Sequence, residues 1–279
     1  MVIFSLGEIV FDIFGDGTKL PGGAPLNFAY YSNFYPGNQA YVVSAVGSDK
    51  LGDELLAEVT NLKLSSKYIT RNSRPTGTVR IEQGLNHENS YEIARDTAFD
   101  MIELDSIREK ADLIYFGTLA LRGRSNRMQY KNFLDRQKSF VAADLNFRQH
   151  FFDREVILFC LDRCNLLKTN ETEWEALAKE LDISLMPESF IQKFDIDYLV
   201  ITKGEKGSEL ITSRERIAVA AVETIVSDTT GCGDSFLAVL CHELLNKQAP
   251  AVAMQRAASI AAKVAAQKGA LVNYKLPEP

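Results

Sequence analysis

The segment Ser227–Phe236, SDTTGCGDSF, combines the residue types that phosphoryl transfer requires. Two glycines flank a small residue, a carboxylate follows at once, and an apolar helical stripe begins there. The amides of Gly231, Cys232 and Gly233 would lie unpaired at a helix amino terminus, where the positive end of the dipole attracts an anion. Asp234 would repel that anion, which makes sense if its carboxylate accepts the proton of an attacking hydroxyl.

These residues also have a purely structural interpretation. An Asp in the first turn of a helix stabilises the dipole by about 0.3–1 kcal/mol, so a GxGD sequence alone is weak evidence for catalysis.

Other phosphate motifs are absent from the sequence: GxxxxGK[ST] does not occur, and the paired glycines at 15/17 and 231/233 lack the third glycine of a dinucleotide site. Neither a P-loop NTPase nor a dinucleotide dehydrogenase is therefore supported.

The elements that must position this segment alternate between short apolar runs and helical patterns. The predicted strands are IFSLGEIV, AYVVSAVG, DLIYFGTLAL, SFVAADLNF, NLLKTN and YLVITKG, with a further extended segment at 217–226. The predicted helices cover 24–34, 51–59, 125–137, 154–163 and 171–181, and two more follow residue 231, the second over 250–268. Apolar strands without alternation are typical of a mainly parallel sheet covered by helices on both faces, and they predict an α/β fold.

Two segments depart from this alternation. Residues 76–95 have period two, with Val79 and Ile81 on one face and Tyr91 and Ile93 after a polar turn, which predicts a half-exposed hairpin. The segment VFDIFGDGTKL is a second candidate hairpin. Ordinary edge hairpins and a lid over a pocket are both consistent with these patterns.

Composition narrows the classes of partner. The 279 residues are 46% apolar and 24% charged, with a net charge of −6 and no basic run, so nucleic acid is not an expected partner. No apolar run reaches membrane-spanning length. Glu8 and Asp12 interrupt the apolar amino terminus, which we interpret as a strand and not as a signal peptide. The four cysteines lack metal-binding spacing, and we expect buried free thiols and a cytoplasmic protein.

DTTGCGDSF resembles the carboxy-terminal signature of the ribokinase-like (PfkB) carbohydrate kinases, DTxGAGD followed by a small residue and Phe. Cys232 stands where alanine is usual, a change that a backbone donor tolerates. The segment GGAPLNFA resembles the amino-terminal motif, and VSAVGSDKLGDELL, DLNFR, NETE and ITKGEKG follow in the family's order. The resemblance spans nearly the whole chain. It implies a single ribokinase-like domain over 1–279, with lid segments inserted at about 9–21 and 74–98.

The resemblance implies an ATP-dependent sugar kinase that uses Mg²⁺, and often K⁺. Asp234 would be the general base, and the amides of Gly231, Cys232 and Gly233 would stabilise the transferring phosphoryl group. The residues of the nucleotide site would be Asn170, Lys203, Gly204 and Arg148. Glu173 would help to hold Mg²⁺ through water. Asp228 and Thr230 would lie beside K⁺. Asn170 and Glu173 also fit a helix capping box, and the two interpretations are compatible. A surface ion pair remains an alternative for Arg148.

For the sugar, the resemblance implicates Asp12, Gly22, Gly23, Asn27 and Arg95. A carboxylate without a partner in an apolar strand would be costly, although Asp12 could also be a solvated hairpin residue. GEIVFDIFGDG followed by GGAPLNFAYY resembles bacterial fructokinases, so fructose is the expected substrate. Ribose, 2-keto-3-deoxygluconate and nucleosides remain alternatives, as does a non-catalytic binding protein of the same fold. Lids of two subunits often pair in this family, which implies a homodimer.

Overall fold

A computed structural model describes residues 1–83, 89–148, 151–183 and 186–273 of the chain. The strands are β1 (Val2–Leu6), β2 (Val10–Phe14), β3 (Lys19–Gly22), β4 (Gln39–Gly47), β5 (Ile69–Asn72), β6 (Gly77–Gln83), β7 (Asn89–Ile93), β8 (Leu113–Gly117), β9 (Phe140–Asp144), β10 (Leu166–Asn170), β11 (Tyr198–Thr202), β12 (Ser208–Ile211) and β13 (Arg216–Val219). The helices are α1 (Ala24–Ser32), α2 (Lys50–Asn61), α3 (Arg124–Leu134), α4 (Arg154–Arg163), α5 (Glu171–Leu181), α6 (Pro187–Phe194), α7 (Cys232–Leu245) and α8 (Pro250–Ala265).

The larger sheet has the strand order β13-β12-β11-β10-β9-β8-β1-β4-β5. The pairs from β11 to β5 are all parallel, and β12 and β13 add an antiparallel edge. The prediction of a mainly parallel sheet is therefore confirmed.

Helices cover both faces of this sheet because its strands are apolar on both sides. Ile3 of β1 packs into a core that includes Phe28 of α1 and Leu237 of α7. The next residue, Phe4, packs into the opposite core, which includes Phe133 of α3. Neighbouring residues of a strand point to opposite faces, so a run without alternation fills both cores.

The first predicted strand, IFSLGEIV, is shorter than predicted. β1 ends at Leu6 and β2 begins at Val10, and the two strands belong to different sheets. Gly7 lies between them with φ 146°, and a Cβ there would lie 2.6 Å from Pro25 Cγ. Only glycine fits this conformation and this close approach, so the chain can leave one sheet and enter the other.

The two predicted hairpins form one smaller sheet of order β3-β2-β6-β7. Val79 pairs with Ile93 and Ile81 with Tyr91, as the period-two pattern predicts. β2 and β6 run parallel and join the hairpins edge to edge. The turn at 84–88 lies outside the described residues, and the role of this sheet as a lid stays a prediction.

Some elements were not predicted, and the bounds of others need correction. β5, β12 and α6 were not predicted, because four, four and eight residues are few for a periodic pattern. α6 buries Phe190 and Ile191. The segment predicted as extended at 217–226 is a strand only within β13, because residues 220–226 pair with no strand in the described part of the chain. α8 ends at Ala265 and not at 268, where Gly269 turns with φ 84°.

The cysteines are free thiols, as predicted. Cys160, Cys164 and Cys241 are buried, and Cys232 is half-buried. Among the residues that the structure describes, no helix is both long enough and apolar enough to cross a membrane.

Candidate active site

Polar residues that could do chemistry, some predicted and some not, gather where the central parallel strands end. Asp144 is the last residue of β9 and Asn170 the last of β10, and Glu8 follows β1. The amino termini of α1, α5 and α7 lie at the same edge of the sheet, which is where α/β sheets bind their ligands.

The turn before α7 is built around Gly231. This residue is the N-cap, with φ 79°, and a Cβ there would lie 2.5 Å from the carbonyl oxygen of Ala270. The amides of Gly231 and Gly233 have no hydrogen-bond partner among the described residues. The amide of Cys232 differs from its prediction, because it donates to the Thr229 carbonyl over 3.3 Å. Because this amide is used within the turn itself, the amides of Gly231 and Gly233 remain free, whereas three free amides were expected.

A buried lysine lies beside these amides. Lys168 of β10 contacts both carboxylate oxygens of Asp144, at 2.8 and 3.0 Å from Nζ. A Cβ on Gly233 would lie only 3.2 Å from the same Nζ, so glycine leaves room for the ammonium group. Neither Lys168 nor Asp144 was predicted as a site residue. Lys168 is the middle residue of β10, and only the pairing of β10 with β9 brings it beside Asp144.

Asp234 lies in the first turn of α7 and is 8% exposed. Its Oδ2 accepts a hydrogen bond of 2.8 Å from Asn27 Nδ2 on α1. Burial, reinforced by the charge of Asp144, raises the pKa of Asp234 to about 6, while Asn27, Lys168 and Arg148 oppose this shift. A carboxylate with such a pKa is ionised at neutral pH and can still take up a proton.

The glycines predicted for the sugar site lie against Asp12 and α1. A Cβ on Gly22 would lie 2.6 Å from Asp12 Oδ2, and one on Gly23 would lie 2.4 Å from the Glu8 carbonyl oxygen. Gly23 is the N-cap of α1, with φ 110°, and its carbonyl accepts from the amide of Asn27. The structure therefore connects four of the predicted residues. Burial raises the pKa of Asp12 to about 6, against the opposing charge of Arg148.

Arg95, the fifth residue predicted for the sugar site, does not lie with the other four. Its side chain is exposed, and its guanidinium lies 5.3 Å from the centre of the Phe151 ring. No hydrogen bond or ion pair joins it to Asp12 or Asn27 within the described ranges. It lines a separate cavity together with Arg74 and Arg122.

Glu8 is another buried carboxyl group that was not predicted as a site residue. Its side chain is 5% exposed, and Oε2 has no hydrogen-bond partner among the described residues. Burial raises its pKa to about 7; the charge of Asp234 adds to the shift, and those of Arg148 and Arg122 oppose it.

Asn170 and Glu173 form the capping box that the sequence allowed. Glu173 N–H donates to Asn170 Oδ1 and Asn170 N–H donates to Glu173 Oε2, both at 2.8 Å. Glu173 Oε1 also accepts from the amide of Phe147 at 3.1 Å. Burial and the nearby charge of Asp144 raise the pKa of Glu173, and Lys168 opposes the shift. Capping therefore fixes a buried carboxylate next to the Lys168–Asp144 pair.

Metal binding at this edge would use few protein ligands. In the part of the chain that is described, no three or more His, Cys, Asp or Glu residues form a metal-binding group. Glu173 and Asp144 still offer oxygen atoms near the amide cluster. Magnesium keeps several waters and is commonly held by one or two carboxylates with substrate phosphates, so this donor set fits it.

A mainly apolar cavity of about 670 Å³ adjoins the amide cluster. Gly204, Cys232 and Gly233 are among its lining residues, and α8 contributes Ala258, Ala261, Ala262 and Ala265. Small side chains leave room for a flat group, which is what a nucleotide base requires. Lys203 does not line the cavity, because its ammonium group pairs with Glu209 at 2.9 Å.

Asp228 ties the turn before α7 to the end of α8. Its Oδ1 accepts from the amide and the hydroxyl of Thr230, and its Oδ2 accepts from the amide of Gly269 at 2.9 Å. Burial opposes ionisation, but these hydrogen bonds hold the pKa of Asp228 below its ordinary value.

Arg148 is the cation of the DLNFR segment and is exposed. It forms no ion pair with any residue in the described ranges. Its charge nevertheless opposes the rise in the pKa values of Glu8, Asp12 and Asp234 that burial causes, so it lies within electrostatic range of these carboxyl groups. The surface ion pair considered from the sequence is therefore not formed with a described residue.

Solved structures share this fold over nearly the whole chain. A crystal structure of a putative sugar kinase from Pyrococcus horikoshii in complex with ATP has a TM-score of 0.84 at 24% identity, covering 97% of this chain and 94% of that one. A fructokinase double mutant from Vibrio cholerae O395, in a form with fructose, ADP and potassium, also has a TM-score of 0.84, at 22% identity, covering 99% and 95%. The fold is that of the ribokinase-like sugar kinases.

Relatives in sequence agree with the fold. The putative sugar kinase of Pyrococcus horikoshii is 24% identical over 96% of this chain and 90% of its own length. The fructokinase of Salmonella typhimurium is 25% identical, covering 87% of this chain and 84% of its own length. The family described as pfkB family carbohydrate kinase matches residues 12–276. The chain belongs to this family and is an ATP-dependent carbohydrate kinase.

Proposed function

We propose that this kinase transfers the γ-phosphoryl group of ATP to a hydroxyl of fructose, with fructose 6-phosphate and ADP as products. The observation that carries the proposal is the contact between Asn27 and Asp234, at 2.8 Å. It joins the predicted sugar segment on α1 to the predicted base on α7. The fructokinase of Salmonella typhimurium is a relative in sequence, and that of Vibrio cholerae shares the fold. Both similarities support fructose as the proposed substrate.

The sugar is positioned by groups around Asp12 and Asn27. Asp12 offers acceptor oxygens, and the missing Cβ atoms of Gly22 and Gly23 let a sugar ring approach the backbone. Asn27 Oδ1 is buried without a hydrogen-bond partner among the described residues, and a sugar hydroxyl could donate to it. An unsatisfied buried acceptor costs free energy that a bound hydroxyl recovers.

In the chemical step, the acceptor oxygen attacks the γ-phosphorus, its proton passes to the Asp234 carboxylate, and the bond to the ADP oxygen breaks. The free amides of Gly231 and Gly233 and the ammonium group of Lys168 lie where negative charge develops. One such donor is typically worth about 2.7–4 kcal/mol at the transition state. General-base catalysis contributes about 10²–10⁴-fold.

ATP would occupy the cavity along α8, with its base against the alanines and its phosphates toward Gly233. Gly204 lines the cavity directly, whereas Asn170, Lys203 and Arg148 would act at its phosphate end. Mg²⁺ would neutralise charge on the phosphates, and Glu173, together with Asp144, would hold its waters.

A monovalent cation, K⁺, is the other proposed cofactor. Asp228 Oδ2 accepts a single hydrogen bond, from Gly269, and so keeps lone pairs for a cation beside Thr230. The Vibrio cholerae fructokinase structure contains potassium. A cation here would stabilise the turn that presents the free amides.

The smaller sheet is proposed to act as the lid, since β2 carries Asp12 on the strand that joins both hairpins. Pairing of two such sheets would give a homodimer. The proposal also places the enzyme in the cytoplasm as a single domain over 1–279.

Phosphorylation of a panel of sugars with Mg-ATP tests the proposal. We expect fructose to have the highest kcat/KM among fructose, ribose, 2-keto-3-deoxygluconate and a nucleoside. Preference for another member of the panel would replace the substrate and keep the mechanism. Binding of sugar and ATP without ADP release from any acceptor would instead favour a non-catalytic protein.

A further inference from the structure

A second cavity, of about 530 Å³, is lined by arginines from separate parts of the chain, and we call it the arginine cavity. Its arginines are Arg74 before β6, Arg95 after β7, Arg122 after β8 and Arg124 at the start of α3. It shares no lining residue with the nucleotide cavity. The proposed function gives it no role.

Most of this positive charge is unpaired. Arg74, Arg95 and Arg124 form no ion pair with any described residue, although the chain carries a net charge of −6. Grouped like charges repel one another, and a chain rich in carboxylates could readily have neutralised them. Their grouping therefore indicates that something else supplies the negative charge.

The carboxylates in the cavity wall are Asp96, Asp100 and Asp153, and two of them are engaged. Asp100 binds Arg122, and Asp153 caps α4 by accepting from the amide of Val156 at 2.8 Å. Counted over the whole lining, four arginines face three aspartates, which leaves an excess of one positive charge. The local charge is thus positive.

Arg122 lines the arginine cavity and is held rigidly. Its Nε and Nη2 donate to Asp100 at 2.6 and 2.7 Å, and its guanidinium lies 4.7 and 4.8 Å from the ring centres of Phe99 and Phe151. Its side chain is 9% exposed, and Nη1 is buried with no hydrogen-bond partner in the described ranges. A buried guanidinium donor without an acceptor is costly, and an acceptor brought by a ligand would recover that cost.

The start of α3 adds a second kind of anion donor. Gly123 is its N-cap and provides no side-chain cap, and no acidic residue lies in the first turn of this eleven-residue helix. Arg124 and Arg127 lie there instead. Cations at the positive end of a helix dipole are unfavourable, whereas an anion bound there is stabilised by the dipole and by the free amides.

We propose that the arginine cavity binds the phosphate group of a small phosphate monoester or inorganic phosphate itself. A phosphate dianion offers three oxygens to arginine forks and to the free amides of α3, and arginine recognises such groups with two parallel hydrogen bonds. The volume also accommodates a hexose phosphate. The two sources, a sugar phosphate and free phosphate, present the same group.

The test is direct binding by calorimetry, without ATP or acceptor, of inorganic phosphate and of fructose 6-phosphate. It compares the wild-type protein with Arg124→Gln, which removes one exposed and unpaired guanidinium at the rim. Arg214→Gln is the matched control, since Arg214 is an exposed arginine without an ion pair in the described part of the chain and lies outside the arginine cavity.

We expect phosphate binding that Arg124→Gln weakens about tenfold and Arg214→Gln leaves unchanged, the usual effect of losing one charge-assisted hydrogen bond. Tighter binding of fructose 6-phosphate than of phosphate would assign the site to a sugar phosphate, and equal affinity would assign it to the free ion. Fructose 6-phosphate bound only at the sugar site would be insensitive to Arg124→Gln, which would overturn the proposal. So would the absence of binding of both ligands at millimolar concentration. Neither result depends on turnover, so failure of the kinase assignment would be seen separately.

Discussion

Asn27 and Asp234 are separated by 207 positions, yet the Asn27 amide donates to the Asp234 carboxylate over 2.8 Å. The contact forms because α1 and α7 pack side by side on one face of the larger sheet and share a core. It stabilises the charged form of a carboxyl whose burial favours the neutral one. The proposed base is therefore tuned by a residue of the proposed sugar site.

This contact predicts the pH profile. Asn27→Ala removes a hydrogen bond to the carboxylate, so the pKa of Asp234 should rise from about 6, and the acidic limb of kcat/KM should move up by about one pH unit. Asn61→Ala, an exposed change at the end of α2, is the control. An acidic limb that stays in place would show that Asn27 does not act on the base.

Lys168 should matter for both stability and turnover. Lys168→Met leaves Asp144 buried without its partner, and breaking such a pair typically costs about 3–5 kcal/mol of the free energy of unfolding. The double variant Lys168→Met/Asp144→Asn should recover much of that stability but not kcat. Urea unfolding and steady-state kinetics on the three proteins measure both effects. Recovery of kcat in the double variant would reduce Lys168 to a structural role.

Alanine substitutions at Gly231 and Gly37 distinguish the cost of backbone strain from the cost of a steric clash. Both have positive φ, 79° and 83°, but a Cβ on Gly231 meets the Ala270 carbonyl at 2.5 Å, while one on Gly37 meets nothing within 4 Å. Gly37→Ala should cost about 1 kcal/mol of stability and leave kcat unchanged. Gly231→Ala should cost more and lower kcat at least tenfold, because the turn that presents the free amides must move. Equal effects of the two substitutions would argue against this.

Glu8 should make the protein less stable as the pH rises. Its folded pKa, about 7, lies above the ordinary 4.5, so the unfolded chain ionises first and stability falls between about pH 4.5 and 7. The loss is on the order of 3 kcal/mol. Glu8→Gln should remove this slope and be more stable than the wild type at pH 8 but not at pH 4.5. Urea unfolding at both pH values tests this; identical slopes would contradict it.

The sequence predicted what depends on local pattern. The parallel sheet, both hairpins and α7 follow from apolar periodicity, and the residues of the DTTGCGDSF and GGAPLNFA segments meet because each segment begins a helix at the same edge of the sheet. That these two segments form one site was predicted from the resemblance to a family and not from periodicity.

What could not be predicted depends on long-range contacts. Lys168 reads as an ordinary strand residue until β9 brings Asp144 beside it. The four arginines of the arginine cavity come from separate segments that only the fold brings together. The hydrogen bond that occupies the Cys232 amide depends on the exact path of one turn, which residue types do not specify.

The most direct test of the mechanism is the turnover of Asp234→Asn with Mg-ATP and the best acceptor of the sugar panel. This substitution keeps the shape of the side chain and removes the proton acceptor. The account predicts a fall in kcat of at least about 10²-fold, with ATP binding and the free energy of unfolding close to those of the wild type. A folded Asp234→Asn protein with near-normal kcat would contradict it.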